Sequence, residues 1–277
     1  MLSRDRVLDL AKKYNIELVN LNSSEWIEAE VKNPMILNKI KIAKEVFSAD
    51  KIINLPVMKV HYATGVTLAL KNVKGFLSCE EKVHFHEVGL DKAIVDLNSV
   101  IKIDLNIIDC ISCMETMGPR GGDVVELGLL MAGGDTAEID YIGMKIMGYS
   151  LDEVKHLKYY IERNGTVLED IEVCGEKLLD VTRPFKKVSI KSIVPKKISL
   201  HNKNACSSCM NALLLSCSFI ETEVKDDVHI YLGALFDNKD ISNGLKIAFG
   251  NCCKIRNPDV KIKGCPPYPF ELKKALS

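Results

Sequence analysis

Three short segments near the carboxyl terminus carry thiols at spacings that suit metal chemistry: Cys206-Ser-Ser-Cys209, Gly250-Asn-Cys252-Cys253 and Gly264-Cys265-Pro266-Pro267. The first is a CxxC just ahead of an apolar helical run, residues 210–217. Two thiols then sit at a helix start, where the dipole and free N–H groups favour anionic sulfur. The second segment follows an apolar strand pattern, and the third precedes a short helical one. Cys206, Cys209, Cys252 and Cys265 are therefore expected to converge from three loops on one site. Four thiolates suit either zinc or a [4Fe–4S] cluster. Zinc ribbons use two CxxC knuckles, whereas Cys252 and Cys265 stand thirteen residues apart. Cysteine followed by proline, with glycine alongside, shapes a loop whose backbone can approach sulfide. The cluster is the favoured reading and zinc the alternative. Cys217, inside the apolar run, reads as core. The Gly-x-Cys register favours Cys252 over Cys253.

A second dense run of polar groups spans residues 54–76. It contains Lys59, His61, Thr64, Thr67, Lys71, Asn72 and Lys74. It follows a strand pattern at 51–57, and ligands of open α/β sheets bind outside the carboxyl ends of strands. If the residues after the strand are helical, Thr67, Lys71 and Lys74 share a face, with Lys59 and His61 just ahead of it. Lys59, Thr67, Lys71, Asn72 and Lys74 would then hold an anion, carboxylate or phosphate. The competing reading is a solvated basic helix end. His61 and Asp109, the latter leaving a buried strand, are the acid–base candidates.

Other segments carry weaker signals. Cys110 and Cys113 form another CxxC, open to thiol exchange, a second metal or ordinary small-residue packing. His84 and His86 would share a face if their segment were a strand; a polar loop is the alternative. Gly118-Pro119-Arg120-Gly121-Gly122 is a glycine-rich turn without P-loop or dinucleotide spacing. Asp135 reads as a helix cap, with Asp140 one turn on.

These groups need a scaffold. The chain has 277 residues, 47% of them hydrophobic, which supports a real core. Helices are expected over 4–14, 62–73, 86–99, 136–147 and 151–163. Strands are expected over 17–21, 26–31, 51–57, 104–111 and 127–134. This alternation predicts an α/β fold, a mostly parallel sheet flanked by helices. Alternation weakens after Pro195. The expected division is residues 1–195 as the α/β domain and 196–277 as a small C-terminal Cys-rich, cluster-binding domain.

Lys+Arg and Asp+Glu are both 37, and aromatics are 6%. Neutral charge and few stacking rings argue against nucleic acid as a partner. No apolar stretch approaches the roughly 20 residues of a membrane span, and no signal peptide is visible. A cytoplasmic setting is expected, where ten cysteines are better explained by metal or redox chemistry than by disulfides.

The sequence resembles the DUF362 family of prokaryotic proteins. The resemblance rests on Ile53-Asn54-Leu55-Pro56, Lys59, His61, Gly65-Val66-Thr67 and Lys71-Asn72-Val73-Lys74-Gly75. It continues through Ile108-Asp109, Gly118-Pro119 with Gly121, and Ala132-Gly133-Gly134-Asp135 leading to Asp140. It covers residues 45–160 and, in longer members, 200–270 with the CxxC, Gly-x-Cys and Gly-Cys-Pro-Pro loops. The last two loops are also similar to cluster-binding loops of hydrogenase small subunits. Family members usually begin with a further strand–helix segment, so this chain is expected to start part-way into that fold. Residues 109–113 depart from the family's glycine-containing pattern. The family name carries no assigned reaction; the resemblance implies the fold and the cluster.

The resulting expectation is a cytosolic, anaerobic iron–sulfur protein, an electron-transfer or reductase component. Its expected partner is an anionic small molecule or a redox protein, with a homodimer left open. The rival readings are a non-redox enzyme, or an assembly or docking module, in which cluster or zinc is structural.

Overall fold

Hydrophobic period and turn chemistry divide the chain into two large sheets, each with its own apolar core, and a small antiparallel pair. The computed structural model describes residues 4–118, 121–168, 171–187, 189–220, 224, 226–233, 236 and 243–276. Pro119 and Arg120 of the glycine-rich turn lie outside them.

Helix α1 (Arg4–Lys13) leads to the antiparallel pair β1 (Trp26–Glu30) and β2 (Lys39–Ala43), then α2 (Lys44–Ser48). The first large sheet follows. It takes β3 (Ile53–Asn54), β4 (Val57–His61) and β5 (Gly65–Thr67) before α3 (Ala69–Asn72), a 3-10 turn (Val73–Phe76), α4 (Cys79–Val88) and α5 (Leu90–Val100). The long strands β6 (Leu105–Glu115) and β7 (Asp123–Gly133) complete it, followed by α6 (Thr136–Ile146) and α7 (Lys155–Asn164). Strands β3 and β4 run parallel to β6, while β5 and β7 are antiparallel to their neighbours. Pro56 separates β3 from β4, since it cannot donate to the ladder. Met58, Val60, Val66 and Ile108 meet Leu70, Ile94 and Leu97 in the first core.

After α8 (Leu178–Val181) and α9 (Ile190–Ile193) the second sheet begins at β8 (Ile198–Lys203). It continues through α10 (Ser207–Ser218), β9 (Val228–Gly233), β10 (Leu245–Phe249), β11 (Val260–Ile262) and α11 (Phe270–Leu276). All its pairings are parallel, in the order β11-β10-β9-β8. Leu213, Leu214, Ile230, Leu232, Ile247 and Leu272 build its core.

The α/β class stands, with several corrections. The first sheet is mixed rather than mostly parallel. Residues 62–67 are a turn and strand instead of a helix, because β-branched Thr64, Val66 and Thr67 around Gly65 (φ 72°) favour a hairpin. Residues 17–21 form no strand; Leu18 and Val19 are exposed, so nothing rewards pairing. The expected helix over 86–99 is two helices broken at Gly89, whose φ of 129° stops the first. The C-terminal region, read as poor in strand–helix alternation, is a fully parallel sheet.

Candidate functional site

The thiols sit where a parallel sheet offers its binding edge, at the carboxyl ends of strands. Cys206 follows β8 and stands at the N-cap position of α10, where the nearby Ser208 and Cys209 backbone N–H groups favour its thiolate. Cys252 follows β10 and Cys265 follows β11. Their two loops are stitched together: Asn251 N–H donates to the Gly264 carbonyl at 3.0 Å, and Gly264 N–H to Asn251 Oδ1 at 2.8 Å. Gly250 is required here. Its φ is 97°, and a Cβ on it would meet Cys209 Sγ at 3.3 Å.

The four sulfurs act on one another. A hydrogen bond with Cys209, then the nearby Lys74 among other causes, brings the Cys206 thiol down to about 6. The Cys206 bond, burial, Cys265 and Cys252 push Cys209 up. Burial, then Cys265 and Cys206, push Cys252 up. Cys253 points elsewhere: it is 1% exposed and donates to the Tyr231 carbonyl at 3.1 Å. Cys217 is core, its thiol pushed up to about 12 by burial. Among the described residues, no group of three or more Cys, His, Asp or Glu side chains is placed to hold a single metal ion.

Beside the thiols lies the basic group. The β4–β5 register pairs Lys59 with Thr67 and His61 with Gly65, so Lys59, His61 and Thr67 share one face of the hairpin. Their neighbours Met58, Val60 and Val66 face the core. Lys71 and Lys74 come from α3 and the turn after it. Burial, then Lys74 and Lys59, hold the Lys71 ammonium well below its usual range. Burial and Lys82 bring Lys74 down to about 8. Burial, then Lys71 and Lys74, keep His61 neutral.

The two groups touch through residues that sequence reasoning missed or misplaced. Ser207, next to Cys206, lies 3.1 Å from His86 Nε2, and Lys74 Nζ lies 3.4 Å from the same nitrogen. Tyr62 is close enough for the Ser207 hydroxyl to act on its phenol. Asn204 Nδ2 donates to the Glu87 carbonyl at 3.1 Å, and Asn211 Nδ2 to that of Met117 at 3.1 Å. His84 and His86 lie on α4, not on a strand, and two residues on a helix point apart. His84 is exposed and faces Glu87, while His86 turns to the thiols. The missed signal was Ser78, whose side chain caps α4 by accepting Glu81 N–H.

Other sequence candidates fall outside this group. Asp109 lies level with Val57 in the ladder, four residues or about 13 Å along β4 from His61. Its Oδ1 accepts Ile111 N–H at 2.9 Å. Asn72 is engaged in structure: its amide donates to Asn54, which donates to Asn106. Asp135 is the cap of α6, accepting Ala137 and Glu138 N–H. Cys110 and Cys113 are buried in β6, where a register shift between them turns both inward. They open no helix, unlike an exchange motif.

The family model described as a domain of unknown function, DUF362, matches residues 2–145, just over half of the chain. The chain belongs to the DUF362 family. The matched region holds the basic group and Asp140 but ends before the four thiols. A Synechocystis sp. relative named thylakoid-associated protein sll1697 is 35% identical over 111 residues, covering 38% of this chain. The match spans only 35% of that relative's length. Among the described residues, no helix of this DUF362 protein is long and apolar enough to cross a membrane.

Proposed function

We propose that this DUF362 protein is a cytosolic iron–sulfur electron-transfer or reductase component acting on an anionic small molecule. Cys206, Cys209, Cys252 and Cys265 would hold a [4Fe–4S] cluster, which when bound supplies one-electron chemistry. The observation that carries the reading is contiguity: the Lys74–His86–Ser207 contacts join the basic group to Cys206. A bound anion would therefore stand next to the thiols, with no separate path between distant sites. Cys209 and Cys252 both feel the thiols of Cys206 and Cys265, which supports one shared site for the four sulfurs. Gly250 leaves backbone close to Cys209 Sγ, as a cluster's sulfides require.

In this reading the protein's residues bind and orient. Lys59, Lys71 and Lys74 attract the anion, and Thr67 offers it a hydroxyl. His61, neutral and buried, holds a proton at Nε2 because its Nδ1 accepts Ala63 N–H at 3.2 Å. Protein purified anaerobically should be brown, with broad absorption at about 400 nm and stoichiometric iron and sulfide. Cys209→Ser should remove most of that absorption. Colourless protein carrying one zinc per chain would overturn the proposal.

A further inference from the structure

Three buried side-chain atoms have no hydrogen-bond partner among the described residues: His61 Nε2, Thr67 Oγ1 and His156 Nε2. Their residues are 1%, 5% and 0% exposed. All three belong to the basic group or its border. His61 and Thr67 share the hairpin face, and His156, at the start of α7, is close enough to act on His61 and to feel Lys71. Gly65, opposite His61, makes room for this approach: a Cβ there would stand 2.7 Å from the Glu153 carbonyl. Unmet polar atoms are costly when buried, and their gathering beside half-buried lysines marks this face as a candidate ligand site.

The partners of the two histidines fix what that ligand must offer. His61 Nδ1 accepts a backbone N–H, so neutral His61 presents Nε2–H as a donor. His156 Nδ1 lies 3.3 Å from Asp91 Oδ1, and a carboxylate only accepts; Nδ1 carries the proton and Nε2 is a bare acceptor. Burial keeps His156 neutral despite Asp91. Lysines, His61 and Thr67 donate, while His156 asks for a donor. A plain oxyanion meets only the first demand.

We infer that the basic group binds an oxyanion that also carries a hydroxyl, with charged oxygens on His61 and Thr67 and the O–H directed to His156 Nε2. The inference rests on the anion-binding reading of this group and sharpens it. Hydrogen phosphate and 2-hydroxycarboxylates share this chemistry; sulfate and simple carboxylates lack the hydroxyl.

Calorimetry on the full-length, anaerobically purified protein distinguishes these ligands with two pairs of probes, phosphate against sulfate and glycolate against acetate. The hydroxyl-bearing member of at least one pair should bind about tenfold tighter or more. The pair that discriminates tells a phosphate site from a hydroxy-acid site. His156→Phe should abolish the preference, and His156→Gln, which keeps an acceptor, should retain it. Equal affinities within both pairs would overturn the hydroxyl requirement and leave the anion site standing. No binding by any of the four would overturn the anion-site reading itself. The wild-type comparison decides both points even if His156→Phe does not fold.

Discussion

Asp96 shows how much one side chain can carry. It is 0% exposed on α5, and its carboxylate accepts Met35 N–H at 2.8 Å and Ile36 and Leu37 N–H at 2.9 Å each. Arg163 Nη1 adds an ion pair at 3.0 Å. One residue thus satisfies three consecutive amides of the β1–β2 connection and ties it to α5 and α7. Asp96→Ala would strand the amides and a largely buried guanidinium. A loss of about 3–5 kcal/mol is expected, measured by urea unfolding. In sequence, Asp96 was one polar residue in an amphipathic helix; nothing local announced partners some 60 positions away. His156 was invisible for the same reason. Its role comes from Asp91, 65 residues distant, which fixes its tautomer.

At the scale of elements, Asp140 on α6 anchors the start of α3. It is 1% exposed and accepts Ala69 N–H at 2.6 Å and Leu70 N–H at 2.9 Å. Burial pushes its carboxyl up to about 7, against those two bonds. An unfolded aspartate titrates at about 3.9. Between these values the folded chain holds a proton that the unfolded chain releases. The stability contributed is therefore present at the acid end and lost as pH rises from about 4 to about 7. Unfolding free energies of wild type and Asp140→Asn, compared across this window, should diverge with pH, because the variant lacks the titration. A parallel difference would refute it. The hairpin β4–β5 belongs to this scale too. Read as a helix, it put Thr67 with Lys71; as a hairpin, it puts Thr67 beside Lys59 and His61. Both readings placed Thr67 in the basic group, but only the observed register sets it opposite Lys59 and on the same face as His61. Helix periodicity could not find this, since a three-residue strand is too short to show its period.

At the scale of the molecule, two sheets meet along the seam where Tyr62, Lys74 and His86 face Cys206 and Ser207. The loops bearing Cys252 and Cys265 are held to each other by a backbone bond and a bond to the Asn251 side chain, whereas the Cys206 loop meets them where Cys209 Sγ packs beside Gly250. If a cluster sits there, removing it with a chelator under oxidising conditions should raise amide exchange around residues 204–209, 250–253 and 264–267. The buried strand residues Ile230 and Leu232 should stay protected. Unchanged exchange at the three loops would argue that no shared metal core links them.

The sequence by itself determined the chemical inventory: four thiols in three loops, two of them glycine-flanked, a basic run after a strand, and enough alternation to read α/β. Those signals are local, written in spacing and period. What only the tertiary structure decided is adjacency. Ser207 and His86 lie 121 residues apart, yet stand 3.1 Å from each other. Asp109 and His61, paired on paper by type, are separated along the sheet. Which groups become neighbours depends on strand order and register, and these are set by burial of whole faces. No single residue's type or spacing contains that information.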